Sequence, residues 1–246
     1  RLKRKAKKLA NNPDQRYYKI YNENIVKMIG VVDKGKILLE YLGETNLLDY
    51  IQENDIGIPD KLYIFSKIVN AIELLHKCGI AHRDIKLNNI MINPETKIND
   101  NIFYVPSVKI IDFGLACVKT KSRSMFKSAV GSWLFCSPEI INDLYNDNDD
   151  GLYDPFKSDI WSLGITLYCL INERVPFKSV SESSEEFIKF INGKIDFRND
   201  SFTNYSSEIE TKVKNIILSC CKIDPKKRLS IYKLSKSINE LIKDFY

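Results

Sequence analysis

The sequence has only two histidines, and its six cysteines, at 78, 117, 136, 169, 220 and 221, include no Cys-x-x-Cys pair. A zinc module built on thiolate and imidazole spacing is therefore excluded, and most of the cysteines are expected to be buried, reduced thiols. No apolar run approaches the length of a bilayer span, so no membrane helix is expected. The N-terminus is basic rather than signal-like, and the expected location is intracellular, cytoplasmic or nuclear. Acids are missing from the first eight positions, where Arg1, Lys3, Arg4, Lys5, Lys7 and Lys8 supply six positive charges. The whole chain carries +5, one less than this arm alone, so the remainder is close to neutral and presents no basic field. The arm also lacks interleaved aromatics on which bases would stack, so nucleic acid is not an expected partner. A solvated helix face over residues 1–10, ended by Asn11-Asn12-Pro13, fits it better.

The apolar pattern sets out the elements. Residues 24–30 and 36–41 read as strands joined by a turn at 33–35. A short helix is predicted over 46–54. A long one is predicted with its entry at Ile58-Pro59-Asp60 and its body over 61–78, with a buried face through Leu62, Phe65, Ile68, Val69, Ile72, Leu74 and Leu75 and a stop at Gly79. Residues 90–92 and 108–111 form a predicted hairpin of short strands, and the polar stretch 93–107 between them reads as a surface insertion. The acid-rich stretch 142–155 lacks the ligand spacing of an EF-hand and reads as a flexible loop. Residues 157–173 are apolar on almost all sides, as a central buried helix requires. Helices over 182–191, 206–221 and 230–245 follow, with a turn at 224–228 before the last. No repeat or linker divides the chain, so one domain over 1–246 is expected.

The chemistry concentrates at His82–Asn89, which reads HRDIKLNN. A carboxylate, a lysine and an amide stand within eight residues, and a second carboxylate follows at Asp112-Phe113-Gly114, just after an apolar run. Phosphoryl transfer to a hydroxyl needs this set: a base to orient the hydroxyl, a cation for the moving phosphate and oxygen ligands for magnesium. Ser137-Pro138-Glu139 and then Asp159-x-Trp161-Ser162-x-Gly164 follow in order. Together these motifs resemble the eukaryotic-type Ser/Thr protein kinase domain.

The resemblance implies an α+β, bilobal kinase-like fold: a partial β-rich small lobe with the hinge over 1–42, and a mainly helical large lobe over 43–246. It implies a Ser/Thr protein kinase that moves the γ-phosphoryl of ATP, with Mg²⁺, to a protein substrate. Asp84 is then the base, Lys86 neutralises the moving phosphate, and Asn89 and Asp112 hold Mg²⁺. Leu39, Glu40 and Leu42 lie at the hinge that binds adenine, with Leu39 limiting the depth of the pocket. His82 and Phe113 join the hydrophobic stack between lobes. Arg83 pairs with a phosphorylated activation-segment residue, for which Ser128 stands at the usual position. Ser132 bridges Asp84 and Lys86, a buried Glu139 pairs with Arg228, and Asp159 accepts backbone N–H groups of the catalytic loop. Asn88 replaces an acid found in basophilic relatives, which argues against a strongly basic substrate preference.

The resemblance is incomplete at its start. The first 35 residues hold no Gly-x-Gly-x-x-Gly and no Val-Ala-Ile-Lys, and no glutamate precedes Glu23. The chain opens on Arg1, and the expected reading is that the upstream part of the small lobe lies outside it. The alternative is a pseudokinase acting as a binding scaffold. Against that stand Asp84, Lys86, Asn89 and Asp112, which a scaffold has no need to keep together.

Overall fold

The computed structural model describes residues 22–32, 36–93, 96–98, 101–103, 107–120, 124–127, 130–145, 152–181, 183–197 and 201–245. The predicted helix over 1–10, the turn at 33–35 and Ser128 lie outside them. Strand β1 (Met28–Val31) pairs antiparallel with β2 (Ile37–Leu39), Gly30 opposite Leu38 and Val31 opposite Ile37. Helix α1 (Leu47–Glu53) starts where the Asn46 side chain accepts the Asp49 N–H at 3.0 Å. Helix α2 (Ile58–Lys77) begins at the predicted entry Ile58-Pro59-Asp60, where Pro59 in the first turn has no N–H to lose. Its predicted apolar face is buried at Leu62, Phe65, Ile68, Val69, Ile72 and Leu75, and Leu74 is partly buried. It stops where Gly79 takes a left-handed φ of +75°.

Six short strands follow: β3 (Ile80–Ala81), β4 (Ile90–Asn93), β5 (Thr96–Ile98), β6 (Asn101–Phe103), β7 (Ser107–Ile110) and β8 (Cys117–Val118). The predicted hairpin forms as β4 against β7, Ile90 opposite Ile110, and β3 pairs with β8. The stretch 93–107 is not a plain loop, because β5 and β6 make a second hairpin within it. The β4–β7 ladder sets Asn93 opposite Ser107, so the chain leaves and returns at adjacent points. Thr96, Ile98, Ile102 and Phe103 are strand-favouring residues that let it close as a ribbon. The predicted first strand also divides. Ile25 makes a parallel bridge to Ile110, Val26 donates to the Ile110 carbonyl at 3.0 Å, and the Asn24 amide donates to the Val108 carbonyl at 2.8 Å. Residues 24–26 are thus held on the β7 edge of the large lobe, and only the chain after them belongs to the β1–β2 ribbon.

Among the described residues, five more helices follow: α3 (Pro138–Tyr145), α4 (Pro155–Asn172), α5 (Glu185–Ile191), α6 (Ser207–Cys220) and α7 (Ile231–Ile242). Asp154, Ser184, Ser206 and Ser230 cap the last four through their side chains, which sets the true starts within three residues of the predicted ones. The stretch 142–155 is therefore structured at both ends, by the last turns of α3 and by the Asp154 cap. Helix α4 is the central post: nearly all its residues are buried. A Cβ on Gly164 would stand 2.5 Å from Cys221 Sγ and 2.7 Å from Cys220 Cβ, so only glycine lets the end of α6 come this close. All six cysteines are reduced and five are buried. Burial pushes the thiols of Cys136, Cys169 and Cys220 up to about 12, which keeps them protonated and inert.

Arg228 is a buried charge of this lobe, and its partner Glu139 is only partly covered, with 21% of its side chain exposed. The sequence places the burial on Glu139. The pair is bidentate, Nη1 to Oε1 at 2.7 Å and Nη2 to Oε2 at 2.6 Å. Backbone carbonyls of Lys157, Lys222 and Ile223 take the remaining guanidinium protons, and the Trp161 ring lies 5.2 Å from Arg228 Cζ. Glu139→Gln leaves that buried cation without a counter-charge. It should lower the unfolding free energy by about 3–5 kcal/mol, read as a fall in the urea midpoint at constant slope. A variant as stable as the parent would mean that the carbonyl shell alone compensates Arg228.

Candidate active site

The loop that leaves β3 is held from below. Asp159, fully buried on α4, accepts the backbone N–H of His82 and of Arg83, each at 2.8 Å, and lies 2.8 Å from His76 Nε2. Arg83 has a φ of +68°, a left-handed conformation that costs an L-residue about 1–3 kcal/mol unless its surroundings impose it. Here they do. The two Asp159 bonds grip the backbone, and the Arg83 carbonyl lies where a Cβ on Gly131 would meet it at 2.8 Å. The Arg83 side chain donates to the Leu115 carbonyl at 2.5 Å and to the Tyr153 hydroxyl at 3.2 Å. The buried His82 ring bonds the Ile111 carbonyl through Nε2 at 3.0 Å and meets Phe113 edge-on, centroids 5.0 Å apart. The two rings are thus in direct contact.

Asp84 sits at the centre of a polar cluster. Its Oδ1 accepts the Ser132 N–H at 3.0 Å and the Ser132 hydroxyl at 2.7 Å. Its Oδ2 accepts Lys86 Nζ at 3.1 Å and Asn89 Nδ2 at 2.8 Å. Lys86 also donates to Ser132 Oγ at 2.5 Å, so the serine contacts both acid and lysine. Burial pushes the Asp84 carboxyl up. The hydrogen bonds from Ser132, Lys86 and Asn89, with the charge of Lys86, outweigh that and hold it below the ordinary aspartate value. Cys136 lies behind this cluster, and the charges of Asp84 and Glu139 add to burial in suppressing its ionisation.

Asn89 closes a short 3-10 turn, Leu87–Asn89, and its carbonyl accepts the Ile111 N–H at 2.9 Å, which brings Asp112 beside the cluster. The Asn89 side-chain nitrogen is committed twice to Asp84, leaving its carbonyl oxygen as the ligand group. Asp112 is exposed, with φ +61°, and its Oδ1 accepts the Gly114 N–H at 3.1 Å. At the hinge, Glu40 is not a bystander to backbone contacts. Its carboxylate accepts the Lys27 N–H and Lys109 Nζ, both at 2.7 Å, and burial of the group is outweighed by these bonds, which keep its pKa low. Leu39 is exposed at the end of β2 and Leu42 is half-buried. Of the two serines singled out in the activation segment, Ser132 is placed as described and Ser128 lies outside the described residues. Two partners escape the sequence: Lys109 for Glu40, and Tyr153 for Arg83. No local signal marks Tyr153, because the same stretch also holds Leu144, Tyr145 and Leu152. A cavity of about 460 Å³ lies elsewhere, between the α1–α2 turn and Tyr205, away from Asp84.

A family model described as the protein kinase domain matches residues 7–238. The chain belongs to this family. Serine/threonine-protein kinase CHK1 of Saccharomyces cerevisiae is 32% identical over 80% of this chain and 35% of its own length. Serine/threonine-protein kinase ppk25 of Schizosaccharomyces pombe is 30% identical over 81% of the chain and 41% of its own. A probable serine/threonine-protein kinase of Dictyostelium discoideum is 27% identical over 88% of the chain and 23% of its own. The chain thus spans well under half the length of these curated relatives. Membership of the kinase domain family implies use of ATP and, typically, Mg²⁺. The donor set fits that ion: an exposed carboxylate at Asp112 and a carbonyl oxygen at Asn89 are hard oxygen ligands.

The low pKa of Asp84 has a stability consequence. Because the folded value lies below the unfolded one, the ionised group contributes stability above about pH 3.9 that is lost as pH falls through the folded value. Among the groups that lower it, the Ser132 hydroxyl ranks first. Ser132→Ala should therefore raise the Asp84 pKa in a carboxyl carbon NMR titration, and an unmoved titration would assign the shift to Lys86 and Asn89 instead.

Proposed function

We propose that this kinase domain transfers the γ-phosphoryl group of Mg-ATP to the hydroxyl of a serine or threonine in a protein substrate. The observation that carries the reading is the Asp84 carboxylate, held ionised and oriented by Lys86, Asn89 and Ser132 together. The domain is taken as 1–246, with 1–42 contributing part of the small lobe and the hinge. No described helix is long and apolar enough to cross a membrane. An intracellular protein, not a nucleic acid or a membrane, is the partner this reading assigns.

Asp84 accepts a hydrogen bond from the substrate hydroxyl and takes its proton late. Because the transition state is loose, aim matters more than basicity, and a carboxylate of low pKa suffices. Lys86, bonded to both Asp84 and Ser132, keeps its ammonium group beside the reaction centre, where it offsets charge on the moving phosphoryl. Asn89 and Asp112 would hold Mg²⁺, which when bound neutralises charge on the phosphates. Leu39, Glu40 and Leu42 present hinge backbone to adenine, with the Glu40 carboxylate anchored to Lys109 rather than used on the base. A phosphoryl group on Ser128 would have Arg83 as its counter-charge.

Transfer of labelled γ-phosphate to a generic protein substrate tests this, with Asp84→Asn as control. The parent should be active and the variant slower by about 100-fold or more. Absence of transfer from both folded proteins would favour a binding scaffold.

A further inference from the structure

Tyr153 joins two parts of the site that the sequence leaves unconnected. It is buried in the segment before α4, and its backbone makes two reciprocal bonds with Phe126 of the activation segment: Phe126 N–H to the Tyr153 carbonyl and Tyr153 N–H to the Phe126 carbonyl, both at 3.0 Å. Its phenolic oxygen accepts from Arg83 Nη1 at 3.2 Å. The Phe126 ring is buried too, 6.0 Å from Arg83 Cζ. Arg83 in turn reaches the Leu115 carbonyl, three residues beyond the metal-binding carboxylate Asp112, and is followed directly by Asp84. One tyrosine therefore connects the catalytic loop, the stretch after Asp112 and the activation segment.

Resting on the phosphoryl-transfer reading above, we propose that Tyr153 is a positioning residue: it orients Arg83 and pins the activation segment at Phe126, so that the catalytic loop reaches its working geometry without a phosphoryl group on that segment. The phenol supplies a neutral acceptor for a guanidinium proton where a phosphorylated side chain would supply an anionic one. The antiparallel bridge supplies the ordering of the segment that such a phosphate otherwise brings. Burial raises the Tyr153 pKa, so the hydroxyl remains protonated and neutral at working pH. A charge-assisted hydrogen bond of this kind helps to hold the left-handed Arg83 backbone, and a small displacement of Asp84 is costly in rate.

The test uses the whole chain, treated with a phosphatase and shown by intact mass to carry no phosphate. Tyr153→Phe keeps the ring and both backbone bonds to Phe126 and removes only the oxygen bonded to Arg83. The dephosphorylated parent should transfer phosphate. The variant should lose about tenfold in kcat with the KM for ATP unchanged, and should melt with the parent. Exchange of the Phe126 amide, followed by mass spectrometry, should be faster in the variant. An unchanged kcat in Tyr153→Phe, or a parent silenced by dephosphorylation alone, would overturn the proposal. If the parent is inactive both before and after phosphatase treatment, the transfer reading fails on its own account. The amide exchange then decides the positioning role: faster in the variant supports it, identical in both overturns it.

Discussion

Asp159 carries a carboxylate with no exposure to solvent, and three N–H-bearing groups converge on it: the backbones of His82 and Arg83 and the ring of His76. A buried carboxylate is expensive unless its oxygens are satisfied, and here they are satisfied by the loop that carries Asp84, with His76 of α2. The exchange is mutual. The carboxylate gains its donors, and the loop is held in a backbone conformation that Arg83 would not choose. Helix α4 can impose this because it is buried along its length, capped by Asp154, and brought close to α6 through Gly164. Disturbance of that packing acts on Asp84 through two backbone bonds.

Above that base, the Asp84 cluster resolves a conflict between burial and charge. Desolvation favours the protonated acid, and four hydrogen bonds favour the carboxylate. The bonds prevail, so the group is an ionised acceptor across the physiological range. The same bonds fix its direction. Ser132 contributes both hydroxyl and backbone N–H, which ties the segment beyond Gly131 to the catalytic loop. Positioning and ionisation come from one set of contacts, suited to a reaction in which the base aims a hydroxyl and removes its proton late.

The small-lobe portion is held differently. Met28, Ile29, Val31, Ile37 and Leu38 on the β1–β2 ribbon are each about half exposed or more, and a two-stranded ribbon has little stability of its own in water. Its placement depends on tethers at its base: residues 24–26 on the β7 edge, the Glu40 N–H to the Lys27 carbonyl at 3.0 Å, and the Glu40 carboxylate to Lys109. Lys109 lies on the strand that leads to Asp112, so Glu40 and the stretch that carries Asp112 share one anchor.

Helices α2 and α4 were legible because burial writes a long period into the sequence, and their ends were legible to within three residues because Gly79, Pro59 and the capping residues act locally. The hairpin within 93–107 was missed because its strands are three residues each and polar in part. The exposure of Glu139, the pairing of Glu40 with Lys109 and the bond of Tyr153 to Arg83 were missed for a different reason. They join positions 69 to 89 residues apart in sequence, or depend on what covers a side chain, and no local pattern encodes either. By itself the sequence determined which side chains are candidates for the chemistry and in what order they stand, since residue type and spacing within one loop carry that information. Only the tertiary structure decided how they are held: that Arg228 is the buried member of its pair, that Asp84 remains ionised despite burial, and that the activation segment meets the catalytic loop through Tyr153. Each of these is a balance of desolvation against contacts made by distant parts of the chain.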